Sequence, residues 1–351
     1  MMCSPPWLPR GVGSMRHRAA FALCVGFLLG AFGAPRAAHA FCRTTTSEVP
    51  ADYDPSLSGC WTEGLPLYWA NACVSYDLQQ SASTEISYDD AAQGIATAFS
   101  KWTGTVCAGS GADGGAGDDG GQGGRVSIDV RDFGPVACGL VQYNQNGPNQ
   151  HVIVFRDDAW PYDDSSNTLA LTTVTYNKLT GEIYDADMEI NSHDQTLSIA
   201  ATVPTDGYDF ESIVTHETGH FLGMAHSTDQ HATMYAHYTP GNEDMRALTA
   251  DDVNGICSIY SPDGMRHVAQ QASPSGTILE SACDATPRHG FTAQCMGAAS
   301  SSSCAVGHWP GGRGDTRTAP SALLVACGAL SSIVLRRRSR RTPLPKTCVR
   351  L

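Results

Sequence analysis

His216-Glu217-Thr218-Gly219-His220-Phe221-Leu222-Gly223-Met224-Ala225-His226 is the stretch whose reading decides the fold. Its skeleton is H-E-x-x-H-x-x-G-x-x-H. On a helix, residues four apart lie on one face, so His216 and His220 can aim two imidazole nitrogens at one point. Glu217 is rotated onward and overhangs that point, where it can take a proton from water without being a ligand itself. Glycine tolerates positive φ, so Gly223 can end the helix in a left-handed turn and bring His226 in as a third ligand. Three protein ligands leave the fourth tetrahedral position open, the pattern of a catalytic rather than a structural zinc. The bland alternative is coincidence. With 12 His, 36 Gly and 35 acidic residues in 351, a chance match is on the order of one in ten thousand.

These residues resemble the signature of the metzincin metallopeptidases, and their surroundings are similar to the matrixin branch. Ser227 resembles the Ser or Thr that follows the third histidine in matrixins. Thr233-Met234-Tyr235-Ala236-His237-Tyr238 resembles the Met-turn and the start of the S1′ wall. Leu248-Thr249-Ala250-Asp251-Asp252-Val253-Asn254-Gly255-Ile256 resembles the opening of the last helix. The resemblance covers residues 64–262. It implies an α/β (α+β) metzincin-like fold, a twisted mixed sheet with an active-site helix and a C-terminal helix, and a cleft between upper and lower subdomains. It implies a zinc endopeptidase with His216, His220 and His226 on Zn2+, Glu217 as general base, Met234 beneath the metal and Tyr238 in the S1′ wall. It further implies an edge strand above the metal that pairs with extended substrate, for which residues 169–176 are the candidate by order along the chain. Two departures stand out: Ala236 replaces the usual proline, and no P-R-C-G segment precedes the domain. The rival reading is a surface protein that grips peptides around a structural zinc without cutting them, and the retained Glu217 speaks against it.

With 42% hydrophobic residues, the chain can bury one substantial core. A formal net charge of −13 disfavours nucleic acid and anionic membrane surfaces as partners. Protein or peptide is the expected substrate, and a monomer the expected state. Arg10, Arg16 and Arg18 precede an apolar run over residues 19–33 and then Ala38-His39-Ala40, which together read as a secretory signal peptide cleaved after Ala40. Residues 41–63 are an N-terminal segment. Secretion or display at the outer cell surface follows, and the 13 cysteines then read as disulfide formers. Cys60 with Cys73, and Cys107 with Cys138, are plausible pairs because each brackets one local feature. Cys42, Cys257, Cys283 and Cys295 cannot be paired from sequence.

Along the domain, residues 66–78 read as the entry strand. Residues 88–102 read as an amphipathic helix through Ala92, Ile95, Ala96, Phe99 and Trp102. Residues 104–124 are Gly-rich and read as a surface insertion. Strand signals follow at residues 125–130, 151–155, 169–176 and 182–191. Asp185, Asp187 and Glu189 alternate along the last of these, so they share one face, open between a solvated surface and a Ca2+ site. Asp209 reads as N-cap of the active-site helix and Thr249 with Asp252 as a capping box. Beyond Pro262 the pattern dissolves into a Ser/Gly/Ala-rich linker over residues 263–318. Residues 319–351 then join a short apolar run to Arg336, Arg337, Arg338, Arg340 and Arg341. That end resembles myxobacterial C-terminal sorting tags; the resemblance implies transient membrane association and Cys304 as the processing or attachment cysteine, with one more disulfide partner as the equal alternative for Cys304.

Overall fold

The computed structural model describes residues 40–50, 53–108, 123–162, 165–268, 271–274, 284–295 and 346–350. The signal segment apart from Ala40, most of the Gly-rich insertion, and Cys283, Cys304 and residues 319–345 lie outside these. In chain order the elements are β1 (Cys42–Arg43), α1 (Pro55–Ser58), β2 (Cys73–Gln79), α2 (Tyr88–Thr103), β3 (Asp129–Val136), β4 (Val152–Phe155), β5 (Ala170–Tyr176), β6 (Ile183–Ile190), β7 (Leu197–Ser198), β8 (Tyr208–Asp209), α3 (Phe210–Phe221), β9 (Met224–Ala225), α4 (Ala250–Ile259), β10 (Met265–Val268), β11 (Gln271–Pro274) and β12 (Lys346–Arg350).

Runs rich in Val, Ile, Thr and aromatic residues become a six-stranded mixed sheet of order β12-β5-β6-β4-β2-β3. Strands β3, β2, β4 and β6 run parallel. β5 turns back antiparallel to β6, through a turn in which Gly181 holds φ +77°. β12 continues antiparallel on the outer edge of β5. Entry begins later than the sequence suggests. Within residues 66–72, Pro66 and Tyr68 make isolated bridges only, and β3 starts at Asp129 because Arg125 pairs with Val106 instead.

Helix α2 is capped by Ser87, whose hydroxyl accepts the Asp90 N–H at 3.2 Å. Its buried stripe is Ala91, Ile95, Ala98, Phe99 and Trp102. Ala96 faces solvent, because a 3.6-residue period carries the stripe from Ile95 to Ala98 and Phe99 rather than to its neighbour. α2 packs against α3, and the Trp102 indole donates to the Thr215 carbonyl at 2.8 Å. The fold is therefore α+β, with one mixed sheet and helices packed on it, as expected.

The cysteine pairing differs from the local guesses. Cys42 bonds Cys60, Cys107 bonds Cys257 and Cys138 bonds Cys295, and Cys73 is disulfide-bonded as well. Two of these span 150 and 157 residues. They join segments that only the folded sheet brings together, which chain proximity cannot reveal.

Candidate metal centre and active site

Helix α3 is built to deliver two histidines into the interior. Asp209 caps it, accepting the Ser212 N–H at 2.9 Å, and Glu211 in the first turn suits the positive end of the dipole. Arg246 grips the same Asp209 carboxylate with Nε at 2.8 Å and Nη2 at 2.7 Å. At the other end, the orphan carbonyls are taken up by side chains: Trp69 donates to Phe221 at 2.8 Å and Tyr260 to Leu222 at 2.9 Å. Gly223 follows with φ +96°, and a Cβ there would lie 2.9 Å from the Leu67 carbonyl oxygen. Glycine is thus required twice over, for the backbone angle and for the close approach. The chain turns through β9, which pairs with β1, and arrives at His226.

One donor atom from each of His216, His220 and His226 falls within 4.8 Å of the others. His216 spends its Nδ1 proton on the Thr233 carbonyl at 2.7 Å, and His220 spends its own on the Met224 carbonyl at 3.0 Å. Both Nε2 atoms therefore carry lone pairs, and they face each other at 2.9 Å. Two bare lone pairs at that distance repel, and a cation between them turns the repulsion into coordination. Burial first, and the neighbouring imidazoles second, hold both rings well below the ordinary imidazole pKa, keeping them neutral as metal ligands must be. Two neutral imidazoles of fixed tautomer, with His226 bringing a third ring nitrogen within 4.8 Å, fit zinc. Among the described residues this is the only cluster of three such groups arranged to hold a metal.

Glu217 is fully buried beside this centre, and the Thr172 hydroxyl of β5 donates to its Oε2 at 2.5 Å. Met234 is fully buried beneath α3. A Cβ on Gly219 would come within 2.3 Å of the Met234 sulfur, so the helix and the turn are in direct contact there. Asp252 accepts the Thr233 N–H at 2.9 Å and the Met234 N–H at 3.1 Å, while closing the expected capping box on Thr249 at 2.8 Å. Ser227 donates to Asp251 at 2.6 Å. Tyr238 is half-buried, donates to the Asn242 carbonyl and stands 6.0 Å from the Tyr208 ring. Burial pushes its phenol up to about 12. His231 and His237, further histidines close to the site in sequence, are exposed.

Asp185, Asp187 and Glu189 do share a face, and that face is buried rather than solvated, each residue being 1% exposed. β6 lies between β5 and β4, so both its edges are paired, and its residues are buried on both faces apart from Tyr184. Protein donors engage the carboxylates. Asp187 accepts the Val152 N–H at 2.9 Å, and Glu189 is clamped by Arg156 at 2.6 and 2.7 Å and by the Tyr162 hydroxyl. Asp185 Oδ1 lies 3.9 Å from His151 Nε2.

The sequence did not reveal Thr172, the carbonyls of Thr233 and Met224, or the reach of Asp252 beyond its capping box to the Thr233 and Met234 N–H groups. The only available signal was the pair of hydroxyls, Thr172 and Thr173, amid the apolar strand residues 169–174, and it is a weak one.

Residues 151–261 match the family model of the matrixins, peptidase family M10. Over similar segments the chain is 34% identical to human matrix metalloproteinase-20 (105 residues, 30% of this chain and 20% of the relative). It is 34% identical to human matrilysin (103 residues, 29% and 35%), and 34% identical to metalloendoproteinase 1-MMP of Arabidopsis thaliana (106 residues, 30% and 27%). The similar segment thus spans between a fifth and about a third of these relatives. The family-model match, residues 151–261, contains His216, Glu217, His220, His226 and Met234, and the α+β fold around them is metzincin-like.

Proposed function

We propose that this chain is a zinc-dependent endopeptidase that acts outside the cytoplasm on extended or unfolded protein. The observation that carries the proposal is the pair of fully buried imidazoles whose Nδ1 protons are spent on backbone carbonyls, with His226 completing the set and a buried carboxylate alongside. When bound, zinc supplies Lewis-acid polarisation of the scissile carbonyl and lowers the pKa of water. Glu217 takes the proton from the attacking water and passes it to the leaving amine. The outer edge of β5, expected as an open sheet edge and carrying β12 in this structure, would receive an extended chain in place of β12, so recognition is mainly of main chain, and specificity is broad. Tyr238 shapes one wall of the pocket beyond the scissile bond. Export is supported by the signal-like residues 1–40 and by the long-range disulfides, which persist in oxidising compartments. Zinc is the metal carried by this reading. The β6 carboxylates, engaged as they are by protein donors, give no independent support for calcium.

The test is Glu217→Gln against His220→Ala on a casein substrate. The amide swap removes proton transfer but keeps three imidazoles, so activity falls by about a hundred- to ten-thousandfold while zinc stoichiometry holds. His220→Ala loses zinc as well. Retained activity in Glu217→Gln, or zinc-loaded wild type that cuts no unfolded polypeptide, favours instead a protein that binds peptides without cleaving them.

A further inference from the structure

Strand β5 presents Ala170, Thr172, Val174 and Tyr176 to one side of the sheet, by the two-residue alternation of a strand. Ala170, Val174 and Tyr176 are members of the main hydrophobic core, and all four residues are at most 1% exposed. The row carries two hydroxyls: the Tyr176 phenol donates away from the helix, to the Thr46 carbonyl at 3.3 Å, and Thr172 is the only aliphatic one. A buried hydroxyl without an acceptor is costly, and valine would fill the same strand position without that cost. The hydroxyl has an acceptor of a special kind, Oε2 of Glu217 at 2.5 Å, with the Glu217 carbonyl oxygen at 3.4 Å.

We propose that Thr172 is a positioning residue for the peptidase reaction: its hydroxyl fixes the Glu217 carboxylate in the orientation from which it exchanges protons with water and leaving amine. The inference rests on the endopeptidase reading above and deepens it. Three features fit Thr172 for the task. Its β-branched side chain has few rotamers in a strand, so the hydroxyl is held where the fold puts it. Its O–H donates to a charged acceptor in a buried setting, where such bonds are short and strong. And it sits on the strand that the substrate is proposed to pair with, so one element aligns both the peptide and the base.

The experiment compares Thr172→Val and Thr172→Ser in the zinc-loaded enzyme. Val removes the donor and keeps the branched shape, whereas Ser keeps the donor and loses a methyl. Thr172→Val is expected to lower kcat about tenfold to a hundredfold with KM and zinc stoichiometry unchanged. Thr172→Ser is expected to recover most of kcat. In a Glu217→Gln background, Thr172→Val should cost no further activity, because Thr172 acts through Glu217. A readout independent of turnover is thermal melting of the metal-free protein. Thr172→Val should lower the melting temperature when Glu217 is present, and should not when Glu217 is replaced by Leu. Equal loss in the Val and Ser variants, kcat within twofold of wild type for Thr172→Val, or fully additive losses with Glu217→Gln would each overturn the proposal. Wild type that holds zinc but cleaves nothing would overturn the endopeptidase reading instead, and the melting cycle would still decide whether Thr172 and Glu217 are coupled.

Discussion

Asp252 Oδ1 accepts the backbone N–H of Met234 at 3.1 Å, across 18 residues of chain and with the acid fully buried. Its other oxygen takes the N–H groups of Thr233 at 2.9 Å and Thr249 at 2.8 Å. Because the Thr233 carbonyl in turn orients His216, the first turn of α4 sets the tautomer of this candidate metal ligand on α3. Asp252→Ala leaves three N–H groups short of an acceptor. We expect a stability loss of about 2–4 kcal/mol and zinc affinity lowered about tenfold to a hundredfold. Urea unfolding and competition with a chelator measure the two, and an unchanged zinc affinity would separate α4 from the metal centre.

Met234 and Gly219 meet where turn and helix touch. A Cβ on Gly219 would lie 2.3 Å from the Met234 sulfur and 2.8 Å from Trp102 Cζ2, and both of these side chains are fully buried. Gly219→Ala should therefore cost about 1–3 kcal/mol by overpacking. Met234→Leu nearly conserves volume, so it should keep zinc and most activity at a cost below about 1.5 kcal/mol. Melting and zinc content of the two variants check the pair. Loss of zinc in Met234→Leu would mean the sulfur does more than fill space.

What the sequence made legible was local. The i, i+4 histidines, Gly223, the Asp209 cap and the Thr249–Asp252 box all depend on chain neighbours, and each lies as expected. What it concealed depends on partners far along the chain. Thr172 reaches Glu217 across 45 residues, and Cys107 reaches Cys257 across 150. The β6 carboxylates show a third kind of failure. Alternation says that Asp185, Asp187 and Glu189 share a face, but only tertiary packing, which brings Arg156 and Tyr162 onto Glu189, says that the face is covered.

His151 and Asp77 give opposing pH terms. Burial pushes the His151 imidazole down to about 4, against a bond to the Ser75 carbonyl at 2.8 Å. Burial pushes the Asp77 carboxyl up to about 7, against the His151 backbone N–H at 3.3 Å. Asp185 faces the imidazole at 3.9 Å, and the charge on Asp132 adds to the rise at Asp77. Between about 4 and 6.5 the unfolded chain holds a proton on His151 that the folded one lacks, so this group makes stability rise with pH. Over 3.8 to about 7 the folded chain holds a proton on Asp77 that the unfolded one lacks, so that group makes stability fall with pH. In His151→Leu the first term is gone. Relative to this variant, wild type should gain about 1 kcal/mol of stability per pH unit from pH ~4.5 to ~6.5, below the limiting slope of about 1.4 for a full proton. All other titrating groups are common to both proteins, so parallel urea-stability curves would mean that His151 is not held neutral.

The outer edge of β5 is the edge proposed for substrate, and β12 lies on it. Their antiparallel register runs from Arg350 opposite Leu171 to Lys346 opposite Thr175, with Val349 opposite Thr172. An extended peptide and β12 would need the same row of backbone donors and acceptors, so the two compete. Proline cannot donate to a ladder, and two adjacent prolines remove a donor on each side of the strand. Full-length protein carrying both Cys348→Pro and Val349→Pro should therefore free the edge. Because a tethered strand competes at an effective concentration of about millimolar, KM for an unfolded protein substrate should fall severalfold or more, with kcat and zinc content unchanged. Identical KM values in variant and parent, at equal zinc content, would show that β12 does not compete with substrate for β5.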